Sequence, residues 1–249
     1  MSDYLDTRTA RKVLYDIGIA YINNVMDNRI NTTDQDILTK IFSAEEISLG
    51  SAQYTINTKA LVISPNGPLP DIKGLNLVID PYKMNNTLRG FETRDFSFIN
   101  NSDGSIRWIF PTDLNRPGFL NFYNSANTKA IIFSKVLKVI FHLGLSRFFR
   151  SGSFRVHSRY GKGLLFWISK QAYSQFSIFT GTVGPNRKAI IELSQMGRTR
   201  AFIKYALSKQ SEELIQNEIS TLRWLKTCKL HTIQIPELIT SHKHQAVLE

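Results

Sequence analysis

The chain contains very little cysteine, since Cys228 is the only one among its 249 residues. A disulfide within the chain is therefore impossible, and a metal site built on cysteine ligands is not expected. Free cysteine is most often buried as a small hydrophobic side chain, which is what we expect for Cys228. The first residues, MSDYLDTRTARK, are polar and do not resemble a signal peptide. These features favour a cytoplasmic protein.

Long hydrophobic runs are also missing. The most apolar stretch, residues 130–145, contains Lys135, Lys138 and His142, whereas a membrane span needs about 20 mostly apolar residues. We therefore expect no integral membrane segment, while peripheral contact with a membrane stays open. The stretch belongs to a predicted helix at 127–145 on which Lys135, Lys138 and His142 share one stripe. Because the rest of its circumference is apolar, we predict that this helix is buried on most sides.

Acidic residues are absent from positions 114–191. The formal net charge is +11, and residues 121–249 hold 19 Lys and Arg against 6 Asp and Glu. Such an imbalance suggests an anionic partner, either a nucleotide, a nucleic acid or an acidic membrane surface.

The densest basic region, residues 146–175, reads as irregular, with a domain boundary near Gly152 or Gly161. Its arginines and lysines alternate with aromatic residues, a composition that suits contact with a polyanion. The alternatives are a basic linker anchored by its aromatics, and an anionic lipid surface that uses the preceding helix as an apolar anchor. The candidate polyanion contacts are Arg147, Arg150, Arg155, Arg159 and Lys162.

Hydrophobic patterning predicts an α+β protein. Helices are expected at 8–28 and 33–46, strands at 58–64 and 75–80, and a hairpin from 96–99 and 106–110. We assign residues 1–150 to an α+β domain of unknown role and residues 160–249 to a second unit. In that unit three strands, at 176–182, 188–194 and 201–207, precede a helix at 209–228.

The first turn of this three-stranded meander contains Gly181, Thr182 and Gly184. Glycines at such a turn allow the backbone to approach a ligand closely, and its N–H groups suit phosphate oxygens. Lys204 lies within the apolar third strand, and Glu218 lies between Leu214 and Leu222 on the helix. A carboxylate at the edge of a core is costly unless it is paired. We therefore predict that Lys204 and Glu218 face each other, although a lysine on a strand is often simply exposed.

This ordered set resembles the nucleotide-binding small lobe of kinase-like phosphotransferases of the aminoglycoside and choline kinase type. The resemblance covers about a quarter of the chain. It implies that the turn with Gly181, Thr182 and Gly184 covers the phosphates of ATP, that Lys204 binds the α- and β-phosphates, and that Glu218 holds Lys204 in place.

The sequence departs from the family pattern in two respects. The turn reads G-x-x-G-P and not G-x-G-x-x-G, and the chain has no H-x-D-x-x-x-x-N loop and no D-F-G motif. The resemblance therefore implies a fragment that binds ATP without transferring phosphate, with Mg²⁺ expected only alongside a catalytic lobe. The alternatives are a β-meander packed on a helix with no such role, and a non-enzymatic basic module that binds nucleic acid or membrane.

Overall fold

The computed structural model describes residues 32–42, 60–62, 76–80, 88–101, 103–114, 116–122, 128–161, 163–170, 173, 175–181, 183–228, 233–242 and 245–248. The helix predicted at 8–28 lies outside these residues. The α-helices of the described part are α1 Thr32–Phe42, α2 Thr128–His142, α3 Gly163–Lys170 and α4 Lys209–Thr227, and short 3-10 helices occupy Gly118–Phe122 and Ser146–Phe148.

The strands of the described part are β1 Ala60–Val62, β2 Leu77–Asp80, β3 Phe91–Asn100, β4 Ile106–Pro111, β5 Gly152–Arg159, β6 Gln175–Phe179, β7 Lys188–Gln195, β8 Arg198–Ala206, β9 Leu238–His242 and β10 Gln245–Leu248. They form one sheet in the order β1-β2-β5-β3-β4-β6-β7-β8-β10-β9. The pair β1–β2 is parallel, and the other neighbours are antiparallel. The α+β class is confirmed, as is the hairpin formed by β3 and β4.

The basic region at 146–175 is not irregular, which corrects the prediction. It contributes β5, which pairs with both β2 and β3, and the helix α3. Phe154 and Val156 are buried on β5 and alternate with half-buried Ser153 and Arg155. This period of two is the usual signature of a strand, and the basic side chains obscured it.

The sheet continues without a break from β4 to β6, through the pairs Trp108↔Phe179 and Ile109↔Ile178. Strands from residues before 150 and after 175 therefore share one hydrogen-bonded sheet. The division into units at 1–150 and 160–249 stays a prediction.

One face of the sheet is covered by α1 and α3. At its centre, Phe96 contacts Phe42, Phe154 and Phe176, with ring centroids 4.9, 5.7 and 5.6 Å apart. These four rings come from α1, β3, β5 and β6 and belong to the main core cluster. Aromatic contacts at these distances add to the stabilisation from burial, so this cluster ties the early and late parts of the chain together.

The opposite face carries α2 and α4. Leu137 and Phe141 of α2 pack with Trp108, Phe110 and Phe119. Among the α2 side chains that the structure describes, these two alone are buried. The prediction that this helix is buried on most sides was therefore wrong. No helix within the described ranges is long and apolar enough to cross a bilayer.

Candidate functional site

Lys204 lies on an inner strand of the sheet, where β8 runs between β7 and β10. It is paired with Ile190 on one side and with Ala246 on the other. Its neighbours Ala201 and Ile203 point into the main core. Side chains alternate between the two faces of a strand, so Lys204 points to the opposite face, where α4 packs.

Helix α4 is positioned by its first turn and by one apolar stripe. Ser208 is the N-cap, and its side chain accepts a 3.1 Å hydrogen bond from the backbone N–H of Ser211. The Ser211 hydroxyl in turn accepts from the N–H of Ser208 at 2.9 Å. Ile215 and Ile219 then pack on Ala206 of β8 and on β10. A reciprocal cap of this kind satisfies two backbone donors and determines where the helix begins.

The position of Glu218 follows from this packing. It lies beside Ile219 on the side of α4 that faces β8, and its Oε1 accepts a charge-assisted hydrogen bond from Lys204 Nζ. The two side chains are 21% and 30% exposed, for Lys204 and Glu218 respectively. The prediction that they face each other is confirmed. One detail differs, because Leu214 is 43% exposed and does not belong to the buried stripe.

The glycine-bearing turn connects β6 to β7, and β7 pairs with β8, the strand that carries Lys204. Gly181 is buried with φ +76°, and a Cβ there would lie 2.5 Å from the carbonyl oxygen of Lys188. Gly184 is exposed, and nothing lies within 4 Å of the Cβ it lacks. The Ser208 hydroxyl donates to the carbonyl of Pro185 at 2.5 Å. That hydrogen bond joins the turn to the start of α4. Thr182, the third predicted residue of this turn, lies outside the described residues.

Arg187 ends the turn, but it points into the protein. It is 8% exposed, and its Nε donates to the carbonyl of Thr180 at 2.9 Å. Its Nη2 donates to the Thr180 hydroxyl at 3.2 Å. Burial lowers the pKa of Arg187 from its ordinary value. This guanidinium therefore anchors the turn and is not presented to a ligand.

Lys188 is a site residue that sequence reasoning missed. It is paired with Ala206, while Ile190 is paired with Lys204. Residues directly opposite on antiparallel strands point to the same face, and diagonal neighbours lie roughly 7–8 Å apart. Two lysines thus stand on the α4 face beneath the glycine turn. The sequence carried a signal for this arrangement, because Lys188, Ile190 and Glu192 occupy alternate positions and therefore lie on one face of β7.

A second polar cluster lies further along the same face. Glu192 is 2% exposed, and its carboxylate accepts hydrogen bonds from Asn121 and Thr199. Burial raises the pKa of Glu192, while these two hydrogen bonds lower it. A cavity of about 400 Å³ opens beside it, with Lys138 and His142 of α2 on its wall. This cluster could not be predicted from local patterns, because Asn121 and Glu192 are 71 residues apart.

The basic residues proposed for polyanion contact are partly used within the fold. Arg155 Nε lies 2.7 Å from Asp95 Oδ1 in an ion pair across β5 and β3, and Asp95 raises the pKa of Arg155. The guanidinium of Arg159 lies 5.0 Å from the ring centroid of Phe91. Lys162 and the side chain of Arg147 are outside the described residues, and Arg150 is half-buried. Contact with a polyanion stays a prediction.

Two further points concern Cys228 and the side chains that could bind a metal ion. Cys228, expected to be buried, is half-buried where α4 ends. In the described part of the chain, no three His, Cys, Asp or Glu side chains are grouped so that they would hold a metal ion.

Comparisons with known proteins give no match. No family model matches the chain, no curated protein matches it, and no solved structure matches it.

Proposed function

We propose that residues 160–249 form a nucleotide-binding lobe of the kinase-like type, which takes the phosphates of ATP between the turn at 181–187 and Lys204. The observation that carries the proposal is the ion pair between Lys204 and Glu218. A lysine in the middle of a sheet, held by a carboxylate from the next helix, has its ammonium group oriented before any ligand arrives. Such an arrangement is the one that kinases use to hold phosphates.

The surroundings of Lys204 support an anionic ligand. Lys188 adds a second positive charge on the same face. Among the residues that the structure describes, the acid paired with Lys204 is Glu218, which accepts through Oε1. Nucleotide phosphates carry several negative charges, so two lysines and the N–H groups of a glycine turn are suitable donors. Gly184 leaves open space at the turn that a phosphate group can approach.

Metal chemistry is not assigned to these residues. A Mg²⁺ ion bound with ATP needs oxygen ligands such as carboxylates, and the carboxylate of Glu218 is engaged by Lys204. The sequence also lacks the catalytic-loop and D-F-G motifs. We therefore propose binding of the nucleotide without phosphoryl transfer by this chain. Since ATP is a cytoplasmic ligand, we propose a cytoplasmic site of action.

A fluorescent ATP analogue, titrated into the purified chain, tests the proposal. Lys204→Met retains the apolar stem but removes the ammonium group, and should weaken binding by about tenfold or more, because a hydrogen bond to a charged group contributes roughly 1.5–3 kcal/mol. The matched control is Lys226→Met, at the other end of α4, where Lys226 is 74% exposed and lies 3.6 Å from Glu237. This control should bind like the parent chain.

The ligand series separates phosphate recognition from other binding. ADP and ATP should compete with the fluorescent analogue, whereas adenosine should compete poorly, because the proposed contacts are to phosphates. Equal affinity in the parent chain and Lys204→Met, with both folded by circular dichroism, would remove the basis of the assignment. Equal competition by adenosine and ATP would count against it as well.

A further inference from the structure

The outer face of α2 is apolar and open to solvent. Ile131, Val139 and Leu143 are 43%, 57% and 62% exposed. The chain continues beyond the helix with Leu145 and Phe148, which are 39% and 56% exposed. Large aliphatic side chains that cluster on one surface usually mark an interaction site. Since the inner face of α2 already supplies Leu137 and Phe141 to the core, this outer face is not needed for folding.

Positive charges lie next to these apolar side chains. Lys135, Lys138 and His142 are exposed on the same side of α2. With 3.6 residues per turn, these residues and Ile131, Val139 and Leu143 occupy about 140° of the helix circumference. The basic side chains occupy one edge of this arc, and Val139 and Leu143 the other. Residues 114–191 contain no acid. Glu192 lines the same cavity as Lys138 and His142, but it is only 2% exposed, so its carboxylate lies beneath the outer surface of α2.

We propose that this outer face of α2 docks on an anionic lipid bilayer, with the helix lying in the plane of the interface. Its aliphatic side chains enter the boundary between headgroups and acyl chains, while the lysines reach back to the lipid phosphates. Amphipathic interfacial helices bind by this combination of apolar burial and electrostatic attraction, and lysine side chains readily extend along an apolar surface in this way. The proposal does not depend on nucleotide binding.

The chemistry of the face favours lipid over other occupants. A nucleic acid would engage the lysines and offers bases that stack on Phe148, but it provides no apolar environment for Val139 and Leu143. A second copy of the chain packed face to face would bring Lys135 and Lys138 close to the same lysines of its partner. An anionic bilayer satisfies the apolar and the basic side chains together.

Cosedimentation of the full chain with vesicles tests the proposal. We expect binding to vesicles of phosphatidylcholine that contain phosphatidylglycerol, and little binding to vesicles of phosphatidylcholine alone. Val139→Asp/Leu143→Asp should lower binding to the anionic vesicles by at least about tenfold, because an acid at this depth opposes both burial and charge. Lys135→Ala/Lys138→Ala should lower it by roughly fivefold per lysine, from about 1 kcal/mol for each basic residue near the surface.

The control is Met196→Asp, which places the same charge on a residue that is 90% exposed in the turn between β7 and β8. It should bind vesicles like the parent chain. All variants alter exposed positions, and circular dichroism checks that they fold. Absence of binding to anionic vesicles, or equal binding by the Val139→Asp/Leu143→Asp variant, overturns the proposal. A dimer in gel filtration that this variant dissociates, without vesicle binding, overturns it in favour of self-association.

Discussion

Replacement of Gly181 by alanine should destabilise the chain far more than the same change at Gly104. Both glycines have left-handed backbones, with φ +76° and +84°. This conformation costs a non-glycine residue about 1–2 kcal/mol. Alanine also lowers the conformational entropy of the unfolded chain, which offsets roughly 0.4–1 kcal/mol of that cost. Gly104→Ala meets nothing within 4 Å, so it should cost about 1 kcal/mol or less.

Gly181→Ala adds a steric conflict to the same backbone cost. Its methyl group would lie 2.5 Å from the Lys188 carbonyl oxygen and 3.3 Å from the Lys188 nitrogen, and backbone atoms of a paired strand cannot turn aside as a flexible side chain can. Overpacking typically costs about 1–3 kcal/mol, which gives a total of about 2–4 kcal/mol. For a chain of this size the expected fall in melting temperature is roughly 5–15 °C.

Urea denaturation of both variants measures the difference directly, and the slope with denaturant checks that the unfolding transition is comparable. Gly104→Ala serves as the matched control because it shares the backbone conformation but not the contact. Equal losses in the two variants would refute the reasoning, since they would show that the turn is not held against the backbone of Lys188.

Two further predictions concern the charged side chains of the same sheet face. A double-mutant cycle of Lys204→Met and Glu218→Gln, measured by urea denaturation, should give a coupling energy of about 1–2 kcal/mol. This value lies between those of exposed and of fully buried ion pairs, because both residues are partly buried. A coupling energy near zero would contradict the geometry. Glu192→Gln should raise stability at neutral pH, whereas exposed Glu213→Gln should not. Because burial raises the folded pKa of Glu192, the native state binds more protons than the unfolded state above the ordinary carboxyl pKa, so stability falls as pH rises toward the folded value. Thermal melts across that pH range should show that the melting temperature of Glu192→Gln depends less on pH than that of the parent chain. An equal dependence in both would contradict the raised folded pKa of Glu192.

Local patterns predicted the elements that depend on neighbours in the chain. The hairpin of β3 and β4, the strands β7 and β8, and the helix after them were all expected and are present. The pairing of Lys204 with Glu218 was also predictable, because they are 14 residues apart and their elements follow each other directly. The C-terminal strands β9 and β10 were missed, although β10 pairs with β8 beside Lys204, because they are short and carry no strong alternation.

Features that depend on distant segments were decided by the tertiary structure alone. Strand β5 lies between β2 and β3 in the sheet. This placement was not predictable, because its partners come from residues more than 50 positions earlier and because basic side chains hid its alternation. Glu192 is buried where the 3-10 helix with Asn121 packs over β7. Ile131, Val139 and Leu143 on the outer face of α2 are exposed although they are aliphatic, as Leu137 on the inner face is. A helix pattern identifies apolar side chains, but only the packing of the whole chain determines which of them are covered.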